Sequence, residues 1–315
     1  MVVDFIFIAV ALGLLFVGAE GLVRGSAAVA TRAGLSPLVV GLTIVAFGTS
    51  SPELVVSVKA AVSQQGDIAV GNVVGSNIFN IAFILGLTAL VCPIPVHRQI
   101  IKVDAPIALA AAILLVFLLM DKTLGRVEGA LLVVGIICYT LMNVMLARKD
   151  GAATDASGAE PSIAVLPRSW MVDIVFILAG LVVLVIGSQL LVEHSVKLAT
   201  YFGISEAVIG LTIVAAGTSM PELATSVVAA FRKQPDIAIG NVIGSNVFNI
   251  LGILGVASVV TPISATGIST FDYATMIIFT VLLIPLLYIG RLLHRIEGAM
   301  LLLLYVAYVF VLWPK

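Results

Sequence analysis

The sequence predicts an all-α membrane protein: ten transmembrane helices arranged as two inverted five-helix repeats. Three observations carry this. The chain is 61% hydrophobic and only 10% charged, against roughly 25% charged residues in a soluble domain. Its charges and turn residues leave ten apolar stretches of membrane-spanning length. The chain also repeats itself: shifted by 169 positions, its halves align without a gap, placing Asp4 on Asp173, Glu53 on Glu222, Asn80 on Asn249 and Glu128 on Glu297.

In order, the predicted spans cover 4–23, 37–60, 67–92, 103–120 and 127–147, then 171–193, 206–231, 237–260, 272–290 and 296–313. The first lacks a basic leader and a small-residue cleavage site, so it reads as a retained span. Residues 148–169, rich in Ala, Gly, Ser, Asp and Pro, read as a linker. The expected domains are therefore 1–147, the linker, and 170–315. The repeat is densest in 37–92 and 206–260. There, 12 of 16 positions agree between 38–53 and 207–222, and 12 of 15 between 67–81 and 236–250. Five spans per repeat require the halves to be inverted. With both termini outside and the linker cytoplasmic, 11 Lys/Arg fall inside and 5 outside, as the positive-inside rule favours. The net charge of −1 suggests no nucleic-acid partner, and no obligatory protein partner is evident. Cys92 and Cys138 lie far apart in apolar runs and read as two buried thiols.

The chemistry sits in the second span of each half. Ala46-Phe47-Gly48-Thr49-Ser50-Ser51-Pro52-Glu53 recurs as Ala215-Ala216-Gly217-Thr218-Ser219-Met220-Pro221-Glu222. Pro52 has no N–H, so the Gly48 carbonyl loses its helical donor, and the ring loosens the Thr49 carbonyl. Pro221 does the same to Gly217 and Thr218. Irregular backbone at membrane depth is tolerated where it lines a cavity or binds something. Glu53 and Glu222 lie inside apolar spans with no Lys or Arg in the same stretch, and intramembrane acids are functional by default. Two carboxylates with hydroxyls of Thr49, Ser50, Thr218 and Ser219 make an all-oxygen cluster suited to a hard cation such as Ca²⁺. No His/Cys cluster invites zinc or copper.

The third spans add GNVVGSNIFN at 71–80 and GNVIGSNVFN at 240–249. Ser76 and Asn80, like Ser245 and Asn249, lie four apart on one helix face and offer neutral oxygens. Ser and Asn also serve as interhelical hydrogen-bonding groups, and Gly71/Gly75 and Gly240/Gly244 fit close helix packing better than ion binding. Glu20 pairs with Gln189 in the repeat and sits near a span end, so it fits an interhelical hydrogen bond.

At these residues the chain resembles the cation/calcium exchanger superfamily, in its prokaryotic sodium/calcium exchanger branch. The G-T-S-x-P-E and G-N-x-x-G-S-N-x-x-[ND] motifs are both present twice, and the ten-span layout matches end to end. The resemblance implies antiport of Na⁺ against Ca²⁺ without a cofactor. It also implies a central site of overlapping cation positions. Glu53 and Glu222 would be its principal ligands. Hydroxyls or carbonyls of Ala46, Thr49, Ser50, Ala215, Thr218 and Ser219 would complete it, with Ser76, Asn80, Ser245 and Asn249 alongside. The first and sixth spans would slide over the other eight. Asn249 stands where potassium-dependent relatives carry Asp, which argues against K⁺ co-transport. Gly75 and Gly244 stand where the proton/calcium branch is acidic. A proton-coupled Ca²⁺ antiporter and a passive channel are the rival readings. An enzyme is disfavoured, because His97, His194 and His294 lie near span ends and Ser50 and Ser219 have no nearby base.

Overall fold

A computed structural model describes residues 2–155, 169–202 and 215–312. The first half holds α1 (Val2–Ala33), α2 (Pro37–Thr49), α3 (Ser51–Val62), α4 (Gly66–Val91), α5 (Ile100–Leu118) and α6 (Arg126–Asp155). The second holds α7 (Trp170–Tyr201), α8 (Ala215–Thr218), α9 (Met220–Phe231), α10 (Pro235–Val260), α11 (Thr270–Tyr288) and α12 (Arg295–Leu312). Among the described residues, eight helices are long and apolar enough to cross a membrane, and nine if α2 and α3, bent by 46°, form one span. Of the predicted span 206–231, the first part lies outside the described residues, and the rest forms α8 and α9.

Composition decides which helices face lipid. The best 18-residue windows of α4 and α10 are 78% and 83% buried, against 22% for α1, 28% for α7 and 11% for α12. Small and polar residues of the GN-x-x-GSN strings let α4 and α10 lie at the centre, where helices approach through small side chains. A Cβ at Gly240 would sit 2.8 Å from the Leu38 carbonyl, and one at Gly244 would sit 2.5 Å from the Leu42 carbonyl. These glycines therefore carry the contact of α10 with α2. The repeat counterparts of Leu38 and Leu42, Ala207 and Leu211, lie outside the described residues. The outer helices bear exposed Phe5, Phe16, Val182 and Phe310, a face suited to lipid.

Four two-residue strands join the halves. β1 (Ile94–Pro95) pairs with β4 (Leu292–Leu293), and β2 (Thr123–Leu124) with β3 (Ile263–Ser264), all antiparallel. A shift of 169 turns the pair Ile94↔Leu293 into Ile263↔Leu124, so each ladder is the repeat image of the other.

Several expected boundaries move. α1 and α7 run to Ala33 and Tyr201, beyond 23 and 193, and α6 runs to Asp155, into the expected linker. Charge ends a span's apolar run without ending its helix where the charge is paired. Arg32 Nε meets buried Asp173 at 2.7 Å, and Glu20 pairs with Arg24 one turn on. Cys138 is exposed and Cys92 half-buried, so the reading of two buried thiols is corrected: Cys138 lies on the outward face of α6.

Candidate cation site

Both predicted breaks occur, at Ser50 (φ −82°, ψ 7°) and Ser219 (φ −89°, ψ 9°). Pro52 and Pro221 follow in the first turn of α3 and α9, where a missing N–H is harmless. Glu53 and Glu222 occupy the same first turns, where the helix dipole favours negative charge. The Gly217 carbonyl is not left open as the proline argument expected. It accepts the Ser188 hydroxyl of α7 at 2.5 Å.

The two carboxylates are each 1% exposed and are tied crosswise. Ser50 Oγ donates to Glu222 Oε1 at 2.7 Å, and Ser219 Oγ donates to Glu53 Oε1 at 2.9 Å. Ser219 Oγ also lies 3.1 Å from Ser76 Oγ. One hydroxyl proton cannot serve both, so with Ser219 donating to the carboxylate, Ser76 donates to Ser219. Among the described residues, no ion pair reaches either glutamate.

Five oxygens on the nominated residues are buried without a hydrogen-bond partner: Glu53 Oε2, Glu222 Oε2, Asn80 Oδ1, Asn249 Oδ1 and Ser245 Oγ. Buried polar atoms are normally satisfied, so such a group asks for an explanation. All five can accept, and oxygen acceptors of this kind are what a hard cation takes.

The remaining nominated residues are placed less directly. Thr49 Oγ1 lies 3.0 Å from Asn241 Oδ1 of α10, and Thr218 Oγ1 lies 3.4 Å from Asn72 Oδ1 of α4. The Ala46 carbonyl accepts the Ser50 N–H at 3.0 Å and lies 3.4 Å from the Thr49 hydroxyl. Ala215 begins α8, and its side chain lies outside the described residues. Glu20 takes no place here. It accepts from Arg232 Nε at 2.7 Å, an interhelical contact as expected.

Four asparagines went unweighed in the sequence. Asn72 and Asn241 bond Ser57 (2.9 Å) and Ser226 (3.0 Å), and each reaches the main-chain carbonyl of the glutamate in its own half at 3.3 Å. Asn77 and Asn246 bond Asn249 and Asn80, each at 3.0 Å. Their signal was identity in both halves of the repeat. Ser188 had no such signal, because its repeat counterpart is Ala19.

The family model described as "Sodium/calcium exchanger protein" matches residues 3–145 and 172–313. A "Putative antiporter CaxA" from Alkalimonas amylolytica is 39% identical, with all of both chains covered. The "Sodium/calcium exchanger MaX1" from Methanosarcina acetivorans is 33% identical over 98% of each chain. A solved structure of "the sodium-calcium exchanger NCX_Mj", soaked with 2.5 mM Na⁺ and 0.1 mM Ca²⁺, superposes with a TM-score of 0.83 at 31% identity, covering 98% of each chain.

Proposed function

The chain belongs to the sodium/calcium exchanger protein family, and from that premise we propose that it moves Ca²⁺ against Na⁺ by alternating access at one site between Glu53 and Glu222. The observation that carries this is the set of five unsatisfied buried acceptor oxygens on α3, α4, α9 and α10. Two carboxylates balance one divalent cation or accommodate monovalent ones. Because Ca²⁺ and Na⁺ would draw on the same oxygens, they compete, and competition at a single site couples their fluxes. Ca²⁺ and Na⁺ are the substrates, and the solvent of the spans is the lipid bilayer of the cell membrane.

Alternating access rests on inverted repeats, and the loop contacts support that arrangement by parity. The β1–β4 ladder brings the loop before α5 against the loop before α12, so an even number of crossings separates them. Five long helices lie between, which favours the reading of one further crossing between α7 and α10. The β2–β3 ladder demands the same crossing. The contact of Glu20 with Arg232 extends the count to α2 with α3, which must also cross once. This parity supports the reading of ten crossings, five per half, with both termini on one side. The charge bias supports that side as outside, with 148–169 cytoplasmic.

The test is ⁴⁵Ca²⁺ uptake into proteoliposomes under imposed Na⁺, K⁺ and H⁺ gradients in turn. Uptake should follow the Na⁺ gradient and fall to background in both Glu53→Gln and Glu222→Gln. Normal Na⁺-driven uptake in the two variants would sink the site assignment. Uptake driven by a pH gradient without Na⁺ would transfer the reading to proton coupling.

A further inference from the structure

Asn77 and Asn246 contribute none of the five unsatisfied oxygens, yet they touch the two asparagines that do. Resting on the cation-site reading above, we propose that Asn77 and Asn246 are positioning residues: they fix which end of the Asn249 and Asn80 amides faces the cation.

A primary amide presents an oxygen at one end and two N–H donors at the other, and the two ends have nearly the same shape. Turned over, Asn80 or Asn249 would aim hydrogens at a cation and repel it. Something must set the polarity, and here a main-chain carbonyl does, because it can only accept. Asn77 Nδ2 donates to the Asn246 main-chain carbonyl at 3.2 Å. Among the described residues, the same nitrogen otherwise meets the Met276 thioether, at 4.0 Å. With its nitrogen so committed, the Asn77 amide turns Oδ1 towards Asn249, whose Nδ2 donates to it at 3.0 Å. Asn249 Oδ1 is then the end left over, buried and unpartnered.

The other half runs the same relay. Asn246 Nδ2 donates to the Asn77 main-chain carbonyl at 3.4 Å, Asn80 Nδ2 donates to Asn246 Oδ1 at 3.0 Å, and Asn80 Oδ1 is left over. The four side chains are between 1% and 4% exposed, so both relays lie away from bulk water in this conformation. Both carbonyls belong to the helical backbone of α4 and α10, which cannot turn over. The two relays are also interlocked, since each anchoring carbonyl belongs to the residue that relays the other.

A carboxylate has an oxygen at both ends and needs no such orientation, which gives a test that separates positioning from packing. Asn77→Leu should raise the KM for Ca²⁺ in Na⁺-driven ⁴⁵Ca²⁺ uptake roughly tenfold or more, with a smaller change in maximal rate. In an Asn249→Asp background the same substitution should change KM by no more than about twofold, because a carboxylate at that position cannot be turned the wrong way. Asn246→Leu, alone and with Asn80→Asp, is the independent second cycle. Asn77→Ala and Asn246→Ala replace any leucine variant that does not purify as a monodisperse protein. An equal loss in both backgrounds, or no loss in either, overturns the proposal. Glu53→Gln is run alongside: if it keeps Na⁺-driven uptake, the site reading has failed, whatever the asparagines do.

Discussion

Ser219 and Ser50 occupy matching positions but carry unequal connections. Ser50 bonds Glu222 alone among the site's side chains, whereas Ser219 bonds Glu53 and also receives Ser76. The Ser245 hydroxyl, the counterpart of Ser76, is unpartnered. Removing Ser219 therefore releases two groups and removing Ser50 releases one. A hydrogen bond to a charged group contributes about 1.5–3 kcal/mol. Ser219→Ala should weaken Ca²⁺ binding roughly tenfold or more and Ser50→Ala by less, read by calorimetry on detergent-purified protein. An equal loss would contradict the unequal wiring. The glutamates were legible in the sequence because a charge inside an apolar run has no cheap explanation. The relay through Asn77 and Asn246 was not. An asparagine's role depends on which atoms meet it across the helix interface, and Asn77 finds its partners 169 and 172 positions away.

At the scale of elements, the two broken helices look alike in sequence and differ in how they are held. Proline placed both breaks, and both breaks came one residue after the expected Gly and Thr, at serine. The carbonyl freed at Gly217 is capped by Ser188 of α7. The corresponding residue facing the first half is Ala19, which has no hydroxyl. Ser188→Ala leaves a buried carbonyl unsatisfied, which costs about 1–3 kcal/mol. Thermal unfolding in detergent should shift downward for Ser188→Ala, and an unchanged midpoint would show that another group takes over the carbonyl. The third spans show why element positions were readable and element neighbours were not. Their glycines announced close packing, but only the fold shows that α10 closes on α2 at Leu38 and Leu42.

For the whole molecule, contacts between distant loops bear on the proposed ten-crossing topology. Asp4 meets His194 at 3.0 Å, Arg32 meets Asp173, and His97 meets Asp236 at 3.2 Å. Gly267 N–H donates to Asp67 Oδ1 at 2.7 Å. Each joins groups that the ten-crossing topology places on the same side. In a chain whose Cys92 and Cys138 are replaced, single cysteines at His97 and Arg291 should react with a membrane-impermeant maleimide only after the inner face is exposed. Cysteines at Lys122 and Gly267 should react in intact cells. Labelling of His97→Cys and Gly267→Cys from the same side would contradict the inverted arrangement, because a shift of 169 places position 97 beside Gly267.

By itself, the sequence determined the apolar spans, the repeat register and the two glutamates, because each is written in local composition or in identity between the halves. Lipid enforces the first, and a buried charge marks the last. Helix ends escaped it, since Arg32 and Glu20 extend α1 by pairing with Asp173 and Arg232, residues more than a hundred positions away. The direction in which each amide points escaped it too. Only the tertiary structure brings α4 against α10, and only there do the Asn77 and Asn246 main-chain carbonyls meet the amides that bond Asn249 and Asn80. Hydrogen-bond polarity is a property of pairs, and these pairs exist only once the halves have met.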